Sequence, residues 1–205
     1  MENRTVYLIR HGKIKLEDNQ RRYIGQLDLP LSLEGIQQAQ CLETILKDID
    51  IGKIYCSDLL RSQQTAQIIA GNKAIPVIMR KDLREIHMGN WEGRTFSHIV
   101  KEYPEEFKAR GADIGYYRVA GGESFADCYK RVIDAFHEIM NSSSGTILLV
   151  GHAGVNRLLL CYVLGMPLAN LFRMHQDYGS LNIITARKSG WQVKLVNETI
   201  CRGEG

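Results

Sequence analysis

The chain has 205 residues, 44% hydrophobic and 24% charged, and its 26 Lys+Arg against 23 Asp+Glu leave a formal net charge of +3. This is enough chain for one sizeable core and too apolar for a disordered one. The charges are interspersed, so no nucleic-acid-binding stripe is expected, and no apolar stretch approaches the ~18 residues of a membrane span.

In chain order, strand-like runs at Thr5–Ile9, Lys53–Cys56, Ile75–Met79 and Thr146–Val150 alternate with amphipathic segments at about Leu33–Lys47, Leu60–Ala70, Ser124–Met140 and Val155–Leu164. Alternation of this kind predicts βαβ units: an α/β three-layer αβα sandwich with a mainly parallel central sheet. Ser32, Asp58 and a Ser124/Asp127 capping box mark helix starts, and Gly165-Met166-Pro167 marks a stop. A hairpin is expected from Leu181–Ala186 and Trp191–Asn197 around Arg187-Lys188-Ser189-Gly190. The polar stretch 92–122, broken by Pro104, Gly111 and Gly115, reads as a short helical cap inserted over the sheet edge of a single domain spanning 1–205.

Five cysteines, Cys41, Cys56, Cys128, Cys161 and Cys201, are widely spaced and form no CxxC pair. They are expected to be reduced and buried. Met1–Arg4 runs directly into a strand with no secretory apolar region, so the expected location is the cytoplasm, with no membrane partner.

Two apolar runs end alike: Leu8-Ile9 runs into Arg10-His11-Gly12, and Leu148-Leu149-Val150 runs into Gly151-His152-Ala153-Gly154. Either alone is weak, since a histidine after a strand is commonly a loop or core residue. If both runs are parallel strands of one sheet, however, their carboxyl ends deliver His11 and His152 to the same edge, where ligands of open α/β sheets bind. Arg61 falls in the first turn of the helix after the second strand and can point back to that edge, where a guanidinium fork matches two phosphate oxygens. Glu85 follows the third strand. If His11 attacks phosphorus, a glutamic acid nearby can protonate the departing alkoxide.

These fragments resemble the histidine phosphatase (phosphoglycerate mutase-like) superfamily over nearly the whole chain. The resemblance is carried by Arg10-His11-Gly12, Tyr23–Ser32, Ser57-Asp58 with Arg61, Thr65 and Ala66, Leu83-Arg84-Glu85 with Gly89, Trp91, Glu92 and Gly93, Gly121–Ser124, and Gly151-His152. Within the family the chain looks most like the short phosphatases, among them α-ribazole phosphatases and broad-specificity enzymes. The resemblance implies that His11 becomes a phosphohistidine, that Arg10, Arg61 and His152 hold the equatorial oxygens, and that Glu85 serves as acid and then as base. Gln26 is expected to reach a phosphate oxygen from its loop. Family members usually carry a hydroxyl residue and an Asn where this chain has Ile14 and Glu17. Either the 13–20 loop swings outward, or Glu17 meets a cationic part of the substrate.

The expected activity is therefore metal-independent hydrolysis of small phosphomonoesters, with α-ribazole 5'-phosphate among the candidates. The expected partner is a small phosphorylated metabolite, with no cofactor and no nucleic acid. Phosphoglycerate mutase is the rival enzyme and a non-catalytic phospholigand-binding domain the rival outside catalysis. Against a mutase stands the short cap, which offers few donors for a second anionic group. His87, His98, His137 and His175 lack metal-ligand spacing. Trp91 reads as packing, while Tyr116-Tyr117-Arg118 reads equally as substrate contact or as an aromatic surface cluster.

Overall fold

The computed structural model describes residues 4–18 and 20–199. Strands β1 (Arg4–Arg10), β2 (Ile51–Cys56), β3 (Val77–Met79), β4 (Thr146–Gly151), β5 (Leu181–Arg187) and β6 (Gly190–Glu198) form one sheet in the order β3-β2-β4-β1-β5-β6. β3, β2, β4 and β1 run parallel, while β5 and β6 add an antiparallel hairpin. The helices are α1 (Leu33–Ile45), α2 (Leu60–Ala70), α3 (Phe96–Glu102), α4 (Pro104–Ala112), α5 (Phe125–Ser142) and α6 (Ala153–Leu164).

Unbroken apolar runs in β1 and β4 demand cover on both faces, because successive side chains of a strand point to opposite sides. Val6, Leu8, Ile147 and Leu149 pack with Val132 and Phe136 of α5 and Leu158 and Leu159 of α6. The intervening Ile9, Leu148 and Val150 pack with Leu42 of α1 and Ala66 and Ile69 of α2. Two cores on either side of one sheet make the three layers that the alternating pattern predicts.

This topology sets the site. β1 and β4 are neighbours in parallel register, with Arg10 opposite Gly151, so His11 and His152 leave the sheet side by side. β2 lies on the other flank of β4, with Cys56 opposite Val150, and therefore delivers the start of α2 to the same edge.

Helix starts follow the sequence at two places and depart from it at a third. Ser32 accepts from Gly35 N at the head of α1, and Ser124 and Asp127 form the capping box of α5. Asp58 does not cap α2. Its carboxylate instead takes both Nε and Nη2 of Arg84, at 2.6 and 2.7 Å, and Asp28 from the preceding loop accepts from Leu60 N at 2.7 Å.

Cys56, Cys128 and Cys161 are free and buried as expected. Cys41 is disulfide-bonded, which overturns the expectation that every cysteine is reduced. A pairing of this kind depends on tertiary approach, which the spacing of cysteines along a chain does not encode. Cys201 lies outside the described residues. Among the described residues, no helix is long and apolar enough to cross a membrane.

Candidate active site

His11 is 4% exposed and His152 fully buried, and their ring centroids are 5.0 Å apart. The tautomer of His11 is set from both sides. Its Nδ1 lies 2.8 Å from Gly12 O, which only accepts, and its Nε2 lies 3.2 Å from Arg61 Nε, which only donates. The ring proton therefore sits on Nδ1 and a lone pair on Nε2. Burial, then Arg61 and Arg10, hold the His11 pKa well below the usual imidazole value. The result is a neutral imidazole close to two guanidiniums, Arg61 and Arg10.

His152 Nε2 lies 2.7 Å from Ser57 Oγ, and burial with the nearby arginines depresses its pKa as well. When Ser57 donates to Nε2, the ring proton sits on Nδ1, a buried atom that meets no partner among the described residues. Arg10 has a second such atom. Its Nη1 donates to Gln176 O at 2.7 Å and its guanidinium lies 3.7 Å from the Tyr178 ring centroid, but its buried Nε has no partner among the described residues. Leaving buried donors unmade costs roughly 1–3 kcal/mol each. A bound anion removes that cost.

Arg61 is 1% exposed, and its terminal nitrogens donate to Leu27 O (2.7 Å) and Gly25 O (2.6 Å). Each retains a second hydrogen. The loop that supplies those carbonyls is fixed in turn by Glu92, which accepts from Gly25 N and Gln26 N.

Glu85 is 8% exposed, and its carboxylate accepts from Gly154 N at 2.9 Å and Ile86 N at 3.0 Å. Gly154 lies in the first turn of α6, whose free N–H groups favour a carboxylate. A Cβ on Gly154 would collide with Glu85 Oε1. The glycine two residues after His152 thus makes room for the Glu85 carboxylate, a role the sequence motif does not disclose.

Gln26 does not join this group. Its Nε2 donates to Glu85 O at 3.0 Å, and the residue lines a separate hollow beside Arg84, Glu123 and Arg131. Its amide thus braces the Glu85 backbone.

Arg10 and Glu85 line a cavity of about 460 Å³ together with Gln20, Arg157, His175, Asp177 and Tyr178. An adjoining cavity of about 400 Å³ shares Glu85, Arg157 and Phe172 with it and runs under the cap, where Phe107 and Arg110 of α4 meet Phe125. A larger hollow of about 820 Å³ over Lys13–Asp18 and the start of α1 meets the first cavity only at Ile14, Leu16, Gln20, Arg21 and Tyr178, and is lined by neither Arg10 nor Glu85. Glu85 faces both cavities of the smaller pair, and Arg10 faces the first.

Several expectations are settled by these walls. Ile14 stays inside, 4% exposed, and lines the first cavity, whereas Glu17 is exposed and lines none of these cavities. The loop therefore remains in place, and it is the Glu17 side chain that stays out. Arg21, Arg22, Arg110 and Arg157 all line the second cavity, so it holds more cationic side chains than the short cap led one to expect. Arg110 lies 5.7 Å from the Tyr23 and Phe125 ring centroids and has no carboxylate partner among the described residues. Tyr116 is 68% exposed and Arg118 pairs with Asp127, so the cap reaches the cavity through α4 instead. Trp91 is 1% exposed and packs against Tyr23. His175 stands at the rim of the first cavity, a position its sequence context did not reveal.

A family model described as the histidine phosphatase superfamily (branch 1) matches residues 6–199. The crystal structure of a putative alpha-ribazole-5'-P phosphatase from Escherichia coli superposes with a TM-score of 0.88 at 28% identity, over 98% of this chain and 99% of that one. Phosphoserine phosphatase 1 of Hydrogenobacter thermophilus is 30% identical, covering 97% of this chain and 94% of the relative. A probable phosphoglycerate mutase of Yersinia pestis is 33% identical over 91% of this chain and 86% of its own.

Proposed function

Because this chain belongs to the histidine phosphatase superfamily (branch 1), we propose that it hydrolyses small phosphomonoesters without a metal, through a phosphohistidine on His11. The observation that carries the reading is a neutral His11 ring 5.0 Å from that of His152, in a site where two buried donors, Arg10 Nε and His152 Nδ1, have no partner among the described residues. A phosphoryl group seated there receives hydrogen bonds on its equatorial oxygens from groups already in place, and such preorganised donors are often the main source of rate acceleration in phosphoryl transfer.

In the first step His11 Nε2 bonds to phosphorus as the ester P–O bond breaks, and Glu85 gives its proton to the departing oxygen. Arg61 turns its Nε from His11 to the phosphoryl oxygens, to which its free terminal hydrogens also donate. Glu85, now ionised, takes a proton from water as that water attacks phosphorus, which returns His11 and releases inorganic phosphate. The covalent step divides one difficult displacement into two. One domain working in the cytoplasm on a small metabolite completes the reading, and α-ribazole 5'-phosphate is a substrate to test.

A mutase reading draws support from Arg110 and Arg157, which suit a substrate with a second anionic group. Incubation with 3-phosphoglycerate and a catalytic amount of 2,3-bisphosphoglycerate separates the two. Hydrolysis predicts release of phosphate from simple monoesters and little 2-phosphoglycerate; rapid interconversion with negligible phosphate release would establish the mutase.

A further inference from the structure

Glu85 is held from behind by a residue that faces no substrate. Arg131 lies in α5, and its guanidinium Nε and Nη2 grip Glu123 Oε1 and Oε2 at 2.7 and 2.8 Å. Nη1 donates to Asp82 O (2.9 Å) and Arg84 O (2.8 Å), while Nη2 also donates to Glu85 O at 3.0 Å. All five N–H donors of the guanidinium are thus engaged, three of them on the segment that carries the acid. Glu123 Oε2 extends the hold past Glu85 by accepting from His87 N at 2.9 Å.

We infer that Arg131, oriented by Glu123, is a positioning residue for proton transfer, fixing where the Glu85 carboxyl stands relative to His11. The inference rests on the acid role assigned to Glu85 above. Its physical basis is the geometry of the fork. A planar guanidinium bonds a carboxylate along one edge and backbone carbonyls along the others, whereas a lysine ammonium at the same place keeps the charge but has three donors radiating from one point. With carboxyl placement loosened by even a fraction of an ångström, proton delivery suffers before phosphate binding does.

A merely structural role and a positioning role separate in leaving-group dependence. kcat/KM reports the first phosphoryl transfer, and p-nitrophenolate departs with little need of a proton, whereas an alkoxide such as that from glycerol 3-phosphate needs one. Both substrates are to be compared in the wild type, Arg131→Lys, Glu85→Gln and the double variant, with circular dichroism and thermal midpoints recorded for each. Arg131→Lys should lower the alkyl-to-aryl ratio of kcat/KM by about tenfold, and in the Glu85→Gln background it should change that ratio by less than about twofold. If Arg131→Lys does not fold, Glu123→Gln, which keeps one oxygen for Arg131, should move the ratio in the same direction. Equal loss on both substrates in a folded variant, or an effect that multiplies fully with Glu85→Gln, would overturn the inference alone. An unchanged ratio in Glu85→Gln would overturn both it and the acid role on which it rests.

Discussion

Arg61 Nε points at His11 Nε2 from 3.2 Å, so a cation stands on the lone pair that must attack phosphorus. The contact disfavours protonation of the imidazole and holds the ring until an anion draws the guanidinium away.

Replacing Arg61 with Met should reveal both effects. The His11 pKa is depressed by burial first and by Arg61 next, so the neutral, active form persists below the ordinary imidazole value. Removing the cation should move the acid limb of the kcat/KM profile upward toward about 6.5 and lower activity near neutrality by at least about a hundredfold. An acid limb that stays in place in a folded variant would contradict this electrostatic reading. The same depression makes His11 and His152 bind protons more readily in the unfolded chain. Stability should therefore fall as pH drops below about 6.5, in a window where most carboxylates are still ionised.

Asp28→Ala should destabilise the fold by about 1 kcal/mol, because it removes the side-chain cap on Leu60 N at the head of α2. Asp28→Asn, whose amide oxygen can still accept from Leu60 N, should recover most of that loss. Chemical denaturation of the three proteins measures this, and equal stability of the alanine variant and the wild type would show that the cap contributes nothing.

Activity should survive exhaustive dialysis against EDTA, since the Arg10 and Arg61 guanidiniums already supply positive charge around the phosphoryl position and neutral His152 adds a hydrogen-bond donor. Vanadate, which mimics five-coordinate phosphorus, should inhibit competitively. Loss of activity restored only by a divalent ion would refute the metal-free mechanism.

The layers and the histidine pair were legible in the sequence because they rest on local pattern. Apolar runs such as Leu148-Leu149-Val150 can only be buried on both faces, and whatever follows such strands emerges at one sheet edge. Arg61 could be placed by the same reasoning, one turn into a helix that starts there. The bracing could not. Gly154 meets Glu85 across 69 residues, and Asp28 caps a helix 32 residues away. The Cys41 disulfide likewise depends on approach in space. Arg131 did leave a trace, because it falls between buried Cys128 and Ala135 on the core-facing stripe of α5, where an arginine needs partners. The function of the cap was the hardest to read. Phe107 and Arg110 look like ordinary residues of a polar helix until α4 is folded over Glu85.

The central claim is that phosphoryl transfer passes through His11. Turnover of a radiolabelled phosphomonoester should be quenched in alkali, where phosphohistidine survives, and the digested protein mapped. The label should be acid-labile and reside on the peptide containing His11, and His11→Ala should neither trap label nor hydrolyse substrate. Stoichiometric label on another residue, or full activity of His11→Ala, would contradict the account.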